Sequence, residues 1–494
     1  MQNGTLLAAI DLGSNSFRLE IGRFHSGHIE RIEYLKETVR QGAGLGEDKV
    51  LNAAAMQRGW DCLARFAERL KGFKKHQVRA VATQTLREAR NRDEFLRQAQ
   101  AILGFAIEVV SGQEEARLIY QGVSRLLPQS DERRLVVDIG GRSTEMILGQ
   151  GYEARRMESY RLGSVAWSNR YFPKGQVTTA AFKTAEVAAK AEIDQALDLF
   201  PPAEWSVAYG SSGTVSAVAD MLGANGWASG LVTRSGLDWL IDRMVKAGHV
   251  DQLRIEGLKE DRRPVLAGGV AVLRAIFDLF AIEQMLPAQG ALRQGALYDL
   301  IDRESIAGDV RERTVRWLGE RFSVDPGQAE RVSQVATALF EQIAAEDALA
   351  GRYSQKLAWA ARLHEIGTHI SHERSYHHGA YILDNVDAPG FSLAELHRMS
   401  QLVLGQRGKL KKMEESLGDE LFAKQLLSLR LAVILCHARQ MPEHALIKLG
   451  YRQGAFRLVT ASGWSRRFPQ SAWLLSEEAQ AWQKTAWKLS VDIR

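Results

Sequence analysis

Four acids in this chain stand where short apolar runs break into small-residue turns. Asp11 lies at the end of one such run, before Gly13, Ser14, Asn15 and Ser16. Asp138 ends another, before Gly140, Gly141, Arg142, Ser143 and Thr144, and Glu145 opens the run that follows; Glu115 comes after Ser111-Gly112-Gln113-Glu114. Glycine lets the main chain approach a ligand closely, and successive amides in a tight turn form a nest for anions. Ser and Thr hydroxyls add donors, so these turns suit phosphate oxygens. Flanking carboxylates would repel a phosphate unless a divalent cation lay between them, and Mg²⁺ takes one or two carboxylates plus phosphate oxygens and water. Asp138 and Glu145 are therefore the metal candidates, with Asp11 behind them. A glycine turn between strands is also the mark of an ordinary hairpin; repetition of the pattern is what favours a site.

Ser111-Gly112-Gln113-Glu114 fits a capping box, in which the serine caps amides and Glu114 reaches back. Glu115 is left over. A carboxylate in a first helical turn is held ionised by the helix dipole, which suits a general base that takes a proton from water. The alternative is a second surface acid that merely favours the dipole. Upstream, "AVATQTLREARN" (80 to 91) runs from strand through Thr83 into a helix expected to carry Arg87 and Arg90. Arg87 there either forks onto phosphate oxygens or is an ordinary surface charge.

The elements that must position these residues repeat. "AIDLGSNSFRLEIG" laid over "VDIGGRSTEMILG" pairs Asp11 with Asp138, Gly13 with Gly140, Ser16 with Ser143 and Arg18 with Glu145. Each copy reads as strand, aspartate, small turn, strand, which predicts two related α/β halves facing across a cleft. A third loop, "AYGSSGTVSAV" with Ser212 and Gly213, follows an apolar run and opens a helix. Neither a P-loop nor a dinucleotide fingerprint is present, since the first two turns lead into strands.

With 494 residues the chain exceeds one ordinary core, so three or four domains are expected; 45% hydrophobic and 25% charged residues describe a globular protein. The start lacks a signal peptide's basic flank, no apolar run approaches a membrane span, and Cys62 and Cys436 lie far apart in apolar patterns. A cytoplasmic location is expected. From residue 445 onward there are eight basic and three acidic residues, an excess equal to the whole chain's net +5. Such a surface either favours a polyanion or is simply solvated.

Taken together, "AIDLGSNSFRLEI", "ATQTLREARN", "VVSGQEEARLIYQGV", "LVVDIGGRSTEMILG", "YGSSGTVSAV" and "GALRQGALYDL" resemble, in order and spacing, the exopolyphosphatase and guanosine pentaphosphate phosphatase family of the actin-like superfamily. The resemblance implies an α/β fold with two actin-like (ribonuclease H-like) domains, 1–128 and 129–303. A helical HD-like domain, 304–444, and a small C-terminal α/β domain, 445–494, would follow. It implies Mg²⁺-dependent hydrolysis of a terminal phosphoanhydride, with Glu115 at the catalytic-base position and Asp138 and Glu145 at metal-associated positions. Gly13 to Ser16, Gly140 to Thr144 and Arg87 match phosphate-binding positions. Many relatives have a third glycine where Arg142 stands here; that position then needs no positive φ, and the arginine either adds a cation or faces solvent.

Processive hydrolysis of inorganic polyphosphate is the favoured expectation, because a short nucleotide does not need a remote basic surface. Hydrolysis of guanosine pentaphosphate, with guanosine tetraphosphate as product, is the alternative, and an actin-like or sugar-kinase ATPase a more distant one. "WAARLHEIGTHISHERSYHHGAYIL" resembles an HD phosphohydrolase helical domain with its His-Asp pair altered to His364-Glu365, which argues against a second hydrolytic centre. His377, His378, Lys409, Lys411 and Lys412 are instead candidates for a polyanion track. The family resemblance also implies a homodimer.

Overall fold

The computed structural model describes every residue except 129, 304–308, 346, 348, 349, 444, 445 and 494. The expected domain boundaries at 128/129, 303/304 and 444/445, and Arg494 of the basic tail, touch residues outside that set. The chain divides into two compact units, Met1–Gly308 and Asp309–Arg494.

The first unit holds two sheets. Strands β1 (Leu6–Leu12), β2 (Ser16–His25), β3 (His28–Thr38), β4 (Val78–Ala82) and β5 (Ile107–Val109) lie in the order β3-β2-β1-β4-β5. Between them come α1 (Ala53–Arg69), α2 (Gln84–Glu88) and α3 (Arg92–Leu103). β1, β2 and β3 form an antiparallel meander, and β4 and β5 add in parallel. After α4 (Gly112–Leu126) the plan repeats, with β6 (Arg133–Ile139), β7 (Thr144–Gln150) and β8 (Glu153–Tyr160) as the meander. Then follow α5 (Ser164–Tyr171), α6 (Thr179–Glu192), α7 (Ala196–Leu199), β9 (Val207–Ser211), α8 (Ser212–Ala224), β10 (Val232–Thr233), α9 (Arg234–Ala247), α10 (Leu266–Leu279) and β11 (Gln284–Pro287). This sheet is ordered β10-β11-β9-β6-β7-β8, with β9 parallel to β6. Two such sheets in one unit are the paired α/β halves that the internal echo predicts. The last helix, α11 (Leu292–Asp302), returns to pack on α4 and β1.

β1 and β6 are buried along nearly their whole lengths, as strands covered on both faces must be. α4 is the seam between the sheets: Ala116, Ile119, Tyr120 and Val123 pack with Val81 of β4, Val136 of β6 and Ile147 of β7 in one apolar cluster. The helix that carries Glu115 is thus gripped by both lobes.

The second lobe's helices are tied through Asp278, which pairs with Lys190 (2.7 Å), Arg234 and Arg274. Burial would raise its carboxyl, yet hydrogen bonds from Lys190 and Arg274 outweigh that and hold it at about 2. A pKa depressed in the folded state contributes stability above the unfolded value near 4, lost as pH falls toward 2. Asp278→Asn is expected to lower unfolding free energy at pH 7 by about 1 kcal/mol after solvent screening. Denaturant titrations from pH 7 to pH 2 should show that difference closing below pH 4.

The second unit is helical: α12 (Val310–Arg321), α13 (Pro326–Ala344), α14 (Ala350–Arg362), α15 (Ser375–Asn385), α16 (Leu393–Gly405) and α17 (Glu420–Leu435) surround a core containing Trp359 and Phe391. A three-stranded sheet follows, β12 (Ile447–Arg452), β13 (Ala455–Thr460) and β14 (Lys488–Asp492), with α18 (Trp464–Arg467) and α19 (Pro469–Trp482). Within "SEEAQAWQKTAWKL" the helix stops partway. α19 ends at Trp482, where Thr485 Oγ1 bonds the Trp482 and Trp487 carbonyls and the Trp487 amide, and residues 488–492 join β13 in parallel. Among the described residues no helix is long and apolar enough to cross a membrane.

Candidate active site

The two hairpins place their acids alike. In β1–β2, Asp11 stands directly opposite Arg18; in β6–β7, Asp138 stands directly opposite Glu145. The aligned positions therefore share geometry and differ in charge. Arg18 neutralises Asp11 at 3.3 Å, with Arg293 of α11 at 3.8 Å. Asp138 and Glu145 instead form a like-charge pair, which is unfavourable across a ladder unless a cation offsets it.

Glu115 joins them from α4. Ser111 Oγ accepts the Glu114 amide at 3.1 Å, the serine half of the expected capping box. The Glu114 carboxylate has a task that spacing did not reveal: Arg79 and Arg117 clasp it at 3.1 and 2.7 Å, and both arginines also pair with Asp299. That buried network fixes the helix start, and Glu115, the next residue, faces Arg87 of α2 at 3.1 Å. Arg87 is held in turn by Val110 O (2.7 Å) and Gln84 Oε1 (2.9 Å). α2 stops at Glu88, so Arg90 lies beyond the helix expected to carry it. Gly112 is required by close approach, because a Cβ there would stand 2.4 Å from Ser159 Cβ. Ser159 Oγ also donates to Glu145 at 2.8 Å.

The electrostatics follow from burial. Desolvation lifts Glu115 to about 7 against the lowering effect of Arg87, with Asp11 and Asp138 adding to the rise. Desolvation likewise takes Asp138 to about 6, opposed by Ser211, Arg18 and Arg293. Glu145 is pushed well above the ordinary carboxylate range by burial and by Glu115 and Asp138. Three mutually repelling buried carboxylates are short of positive charge.

The loops around them offer donors. Gly140 N bonds Ser143 O at 2.9 Å and closes the turn, while the Gly140 and Gly141 carbonyls accept from the amides of α5. The amides of Gly141, Arg142 and Ser143 have no acceptor among the described residues. Ser16 Oγ is buried without a partner, and so are both amide atoms of Gln41, whose neighbours Arg40 and Gly42 bond the Asn15 and Ser14 carbonyls. Ser14 Oγ accepts from Thr85 Oγ1 at 2.8 Å. Ser212, at φ 75°, donates to Ile139 O at 2.8 Å and so binds the third loop to the second. Backbone strain of that kind is typical of functional loops.

Two loop residues have protein partners of their own. The Thr144 hydroxyl donates to Leu162 O at 2.8 Å and is fully buried, so it serves the turn. Arg142, with no positive φ, is part-buried, its side chain 23% exposed. It donates to Gly42 O (3.1 Å) and Glu88 (3.2 Å) and so bridges the two lobes. Conversely, Arg18, Arg293 and Arg262 were missed as site residues. Arg262 lies over Gly213, where a Cβ would stand 1.8 Å from Nη2, and it neighbours Arg18. Arg18 and Arg293 sit inside motifs read from the sequence; Arg262 carries no local signal.

The donor set fits Mg²⁺. It consists of hard carboxylate oxygens, and among the described residues no three His, Cys, Asp or Glu side chains form a ready cage. An ion bound through one or two carboxylates, with phosphate and water completing its shell, needs none. Asp138 and Glu145 are the residues that could hold it.

In the second unit, the His377 ring lies tilted against Tyr376 (4.6 Å between centroids, 38° between planes), and Lys412 Nζ lies 4.0 Å from the centre of the same tyrosine ring. Burial and Lys412 lower His377; burial and Arg430 lower Lys412 to about 8. His378 is half-buried on the same helix, and Lys409 and Lys411 are exposed beside Lys412. His364 is a core residue, its Nδ1 donating to Ala361 O at 2.7 Å, and burial holds it neutral.

Comparison with known proteins follows this geometry. The sequence matches the Ppx/GppA phosphatase family over residues 21–304 and that family's domain III over residues 310–479. It is 39% identical over 492 residues to a guanosine-5'-triphosphate,3'-diphosphate pyrophosphatase of Aeromonas hydrophila, covering 99% of each chain. To that of Vibrio cholerae it is 37% identical over 490 residues, 99% of this chain and 98% of the other. Among solved structures, a Ppx/GppA family member of Aquifex aeolicus superposes with a TM-score of 0.51 at 24% identity, over 61% of this chain and 99% of that one. An exopolyphosphatase from Cytophaga hutchinsonii gives 0.55 at 22%, over 60% and 98%. These last two are likenesses of fold.

Proposed function

The chain belongs to the Ppx/GppA phosphatase family of phosphoanhydride hydrolases, and on that premise we propose that it removes the terminal 5'-phosphate of guanosine pentaphosphate. Water is consumed, and orthophosphate and guanosine tetraphosphate are released. The observation that carries the reading is Glu115. It is a buried base raised to about 7, aimed by Arg87, and shares its pocket with Asp138 and Glu145.

Glu115 takes a proton from water in line with the terminal phosphorus; the free amides at 141–143 and the Ser16 hydroxyl cradle phosphate oxygens. Arg18 and Arg293 pair with Asp11 beside them. Asp138 and Glu145 would hold Mg²⁺, which when bound offsets negative charge on the phosphate oxygens. Positioning and electrostatics dominate phosphoryl transfer, so few residues suffice.

The choice of nucleotide over polyphosphate rests on relatives of matching length. The second unit was expected to favour polyphosphate, but relatives named for guanosine pentaphosphate extend over the same residues, so length does not discriminate. Polyphosphate remains the second reading because of the basic excess after residue 445. Phosphate release with Mg²⁺, measured in parallel, should give a kcat/KM at least about tenfold higher for guanosine pentaphosphate than for long-chain polyphosphate, a difference of about 1.4 kcal/mol in transition-state stabilisation. The reverse ratio would put polyphosphate first.

A further inference from the structure

Arg87 is held against Glu115 by a chain of side chains that begins in the other lobe. Arg87 donates from Nη1 to Glu115 Oε2 at 3.1 Å and from Nε to Gln84 Oε1 at 2.9 Å. The other end of the Gln84 amide is committed, since Nε2 donates to Glu88 Oε1 at 2.7 Å. Glu88 Oε2 accepts from Arg142 Nη2 at 3.2 Å, and Arg142 Nη1 donates to Gly42 O at 3.1 Å. Arg142, Glu88, Gln84, Arg87 and Glu115 therefore form one unbroken relay inside the first unit. None of these side chains is more than 23% exposed, and hydrogen bonds shielded from water are electrostatically stronger.

The relay has a direction. A glutamine amide carries a donor end and an acceptor end, and its partners decide which way it faces. Glu88 accepts, so Gln84 turns its NH2 to Glu88 and its oxygen to Arg87. With that acceptor gone the amide can turn over and set NH2 against a guanidinium, which has donors only. Arg87 would then keep Val110 O as its one anchor besides Glu115. At the far end, the Arg142 stem runs over Gly42, where a Cβ would stand 3.1 Å from Arg142 Cδ. The relay is thus whole only while the β6–β7 turn lies against the Gln41–Gly44 turn of the first lobe. Resting on the reading of Glu115 as the base, we infer that Arg142 is a positioning residue. Through Glu88 and Gln84 it sets Arg87 against Glu115, so the turn that offers its amides to phosphate also aims the base.

The test is steady-state phosphate release by the full chain from guanosine pentaphosphate, or from polyphosphate if that is the better substrate. Arg142→Met keeps the stem over Gly42 and the loop amide while removing the guanidinium. It should lower kcat about tenfold with KM within about twofold, the signature of a displaced base rather than of lost binding. Arg142→Lys, which restores a cation for Glu88, should recover to within about threefold of wild type. Glu88→Met should match Arg142→Met, and the double variant should fall little below either single, because both cut one chain. On a Glu115→Gln background, Arg142→Met should cost less than about twofold more. An unchanged kcat in Arg142→Met, a loss carried by KM, additive losses in the double variant, or a full loss on the Glu115→Gln background would each overturn the inference. Those are the results expected of an arginine that serves phosphate directly or only staples the lobes. Wild-type release by Glu115→Gln would refute the base and the relay together; an impaired Glu115→Gln beside an unimpaired Arg142→Met would refute the relay alone.

Discussion

Glu115→Gln should reduce phosphate release from guanosine pentaphosphate by about 10²- to 10⁴-fold, the range a positioned general base supplies. The replacement keeps shape and a hydrogen-bond acceptor for Arg87 while removing the proton acceptor, so KM should change little. A second readout guards against trivial unfolding. Burial, outweighing Arg87, raises the wild-type carboxyl to about 7. A raised acid makes the folded state bind more protons than the unfolded one between about pH 4.5 and 7, so its ionisation costs stability that grows across that window. Without divalent cation at pH 8 the variant should therefore melt above the wild type. Loss of activity with a higher melting temperature identifies a functional group; undiminished release would remove Glu115 from the mechanism. The wild-type rate itself should fall as pH drops below neutrality, where the base is protonated.

Arg79→Met should destabilise the first unit by about 3–5 kcal/mol, the range for removing one partner of a buried ion network. Arg79 of β4 is 2% exposed and touches Glu114, Asp299 and Glu108. Burial alone would raise Glu114 and Asp299, yet the surrounding arginines hold both below the ordinary range. Removing Arg79 leaves those carboxylates to Arg117 and Arg303. Equilibrium unfolding in urea measures the loss, and Arg79→Met with Asp299→Asn should lose less than the sum of the two singles because they share a contact. Additive losses would mean that the network is not a unit. Because Glu114 precedes Glu115, the variant should also lose turnover.

The contrast between these two residues separates what each level of description determines. The place of Glu115 in a first helical turn was legible in the sequence because helix capping is local: Ser111 and Glu114 lie three residues apart, and what remains in the first turn can be named. The hairpin echo was legible for the same reason, and its alignment of Arg18 with Glu145 is the register the strands adopt, since a two-stranded turn fixes which residues oppose. Alternation and turn chemistry within a few residues likewise gave the two α/β halves. Helix ends were less secure. α2 stops before Arg90 and α19 before Lys484 because tertiary pairing, of the Arg90 amide with Lys49 O and of β14 with β13, takes over the backbone.

What the tertiary structure alone decided joins residues remote in sequence. Arg79 meets Asp299 across 220 positions, Arg142 meets Gly42 across 100, and Arg262 settles on Gly213. No spacing rule reaches that far, and charge type alone did not show whether Arg142 would serve a phosphate, solvent or the opposite lobe. The raised carboxyls belong to the same class. A sequence names Glu115, Asp138 and Glu145, but their pKa values depend on how much water the fold removes and which charges it sets nearby. Local hydrogen bonding wrote the candidates; burial and long-range pairing assigned their states.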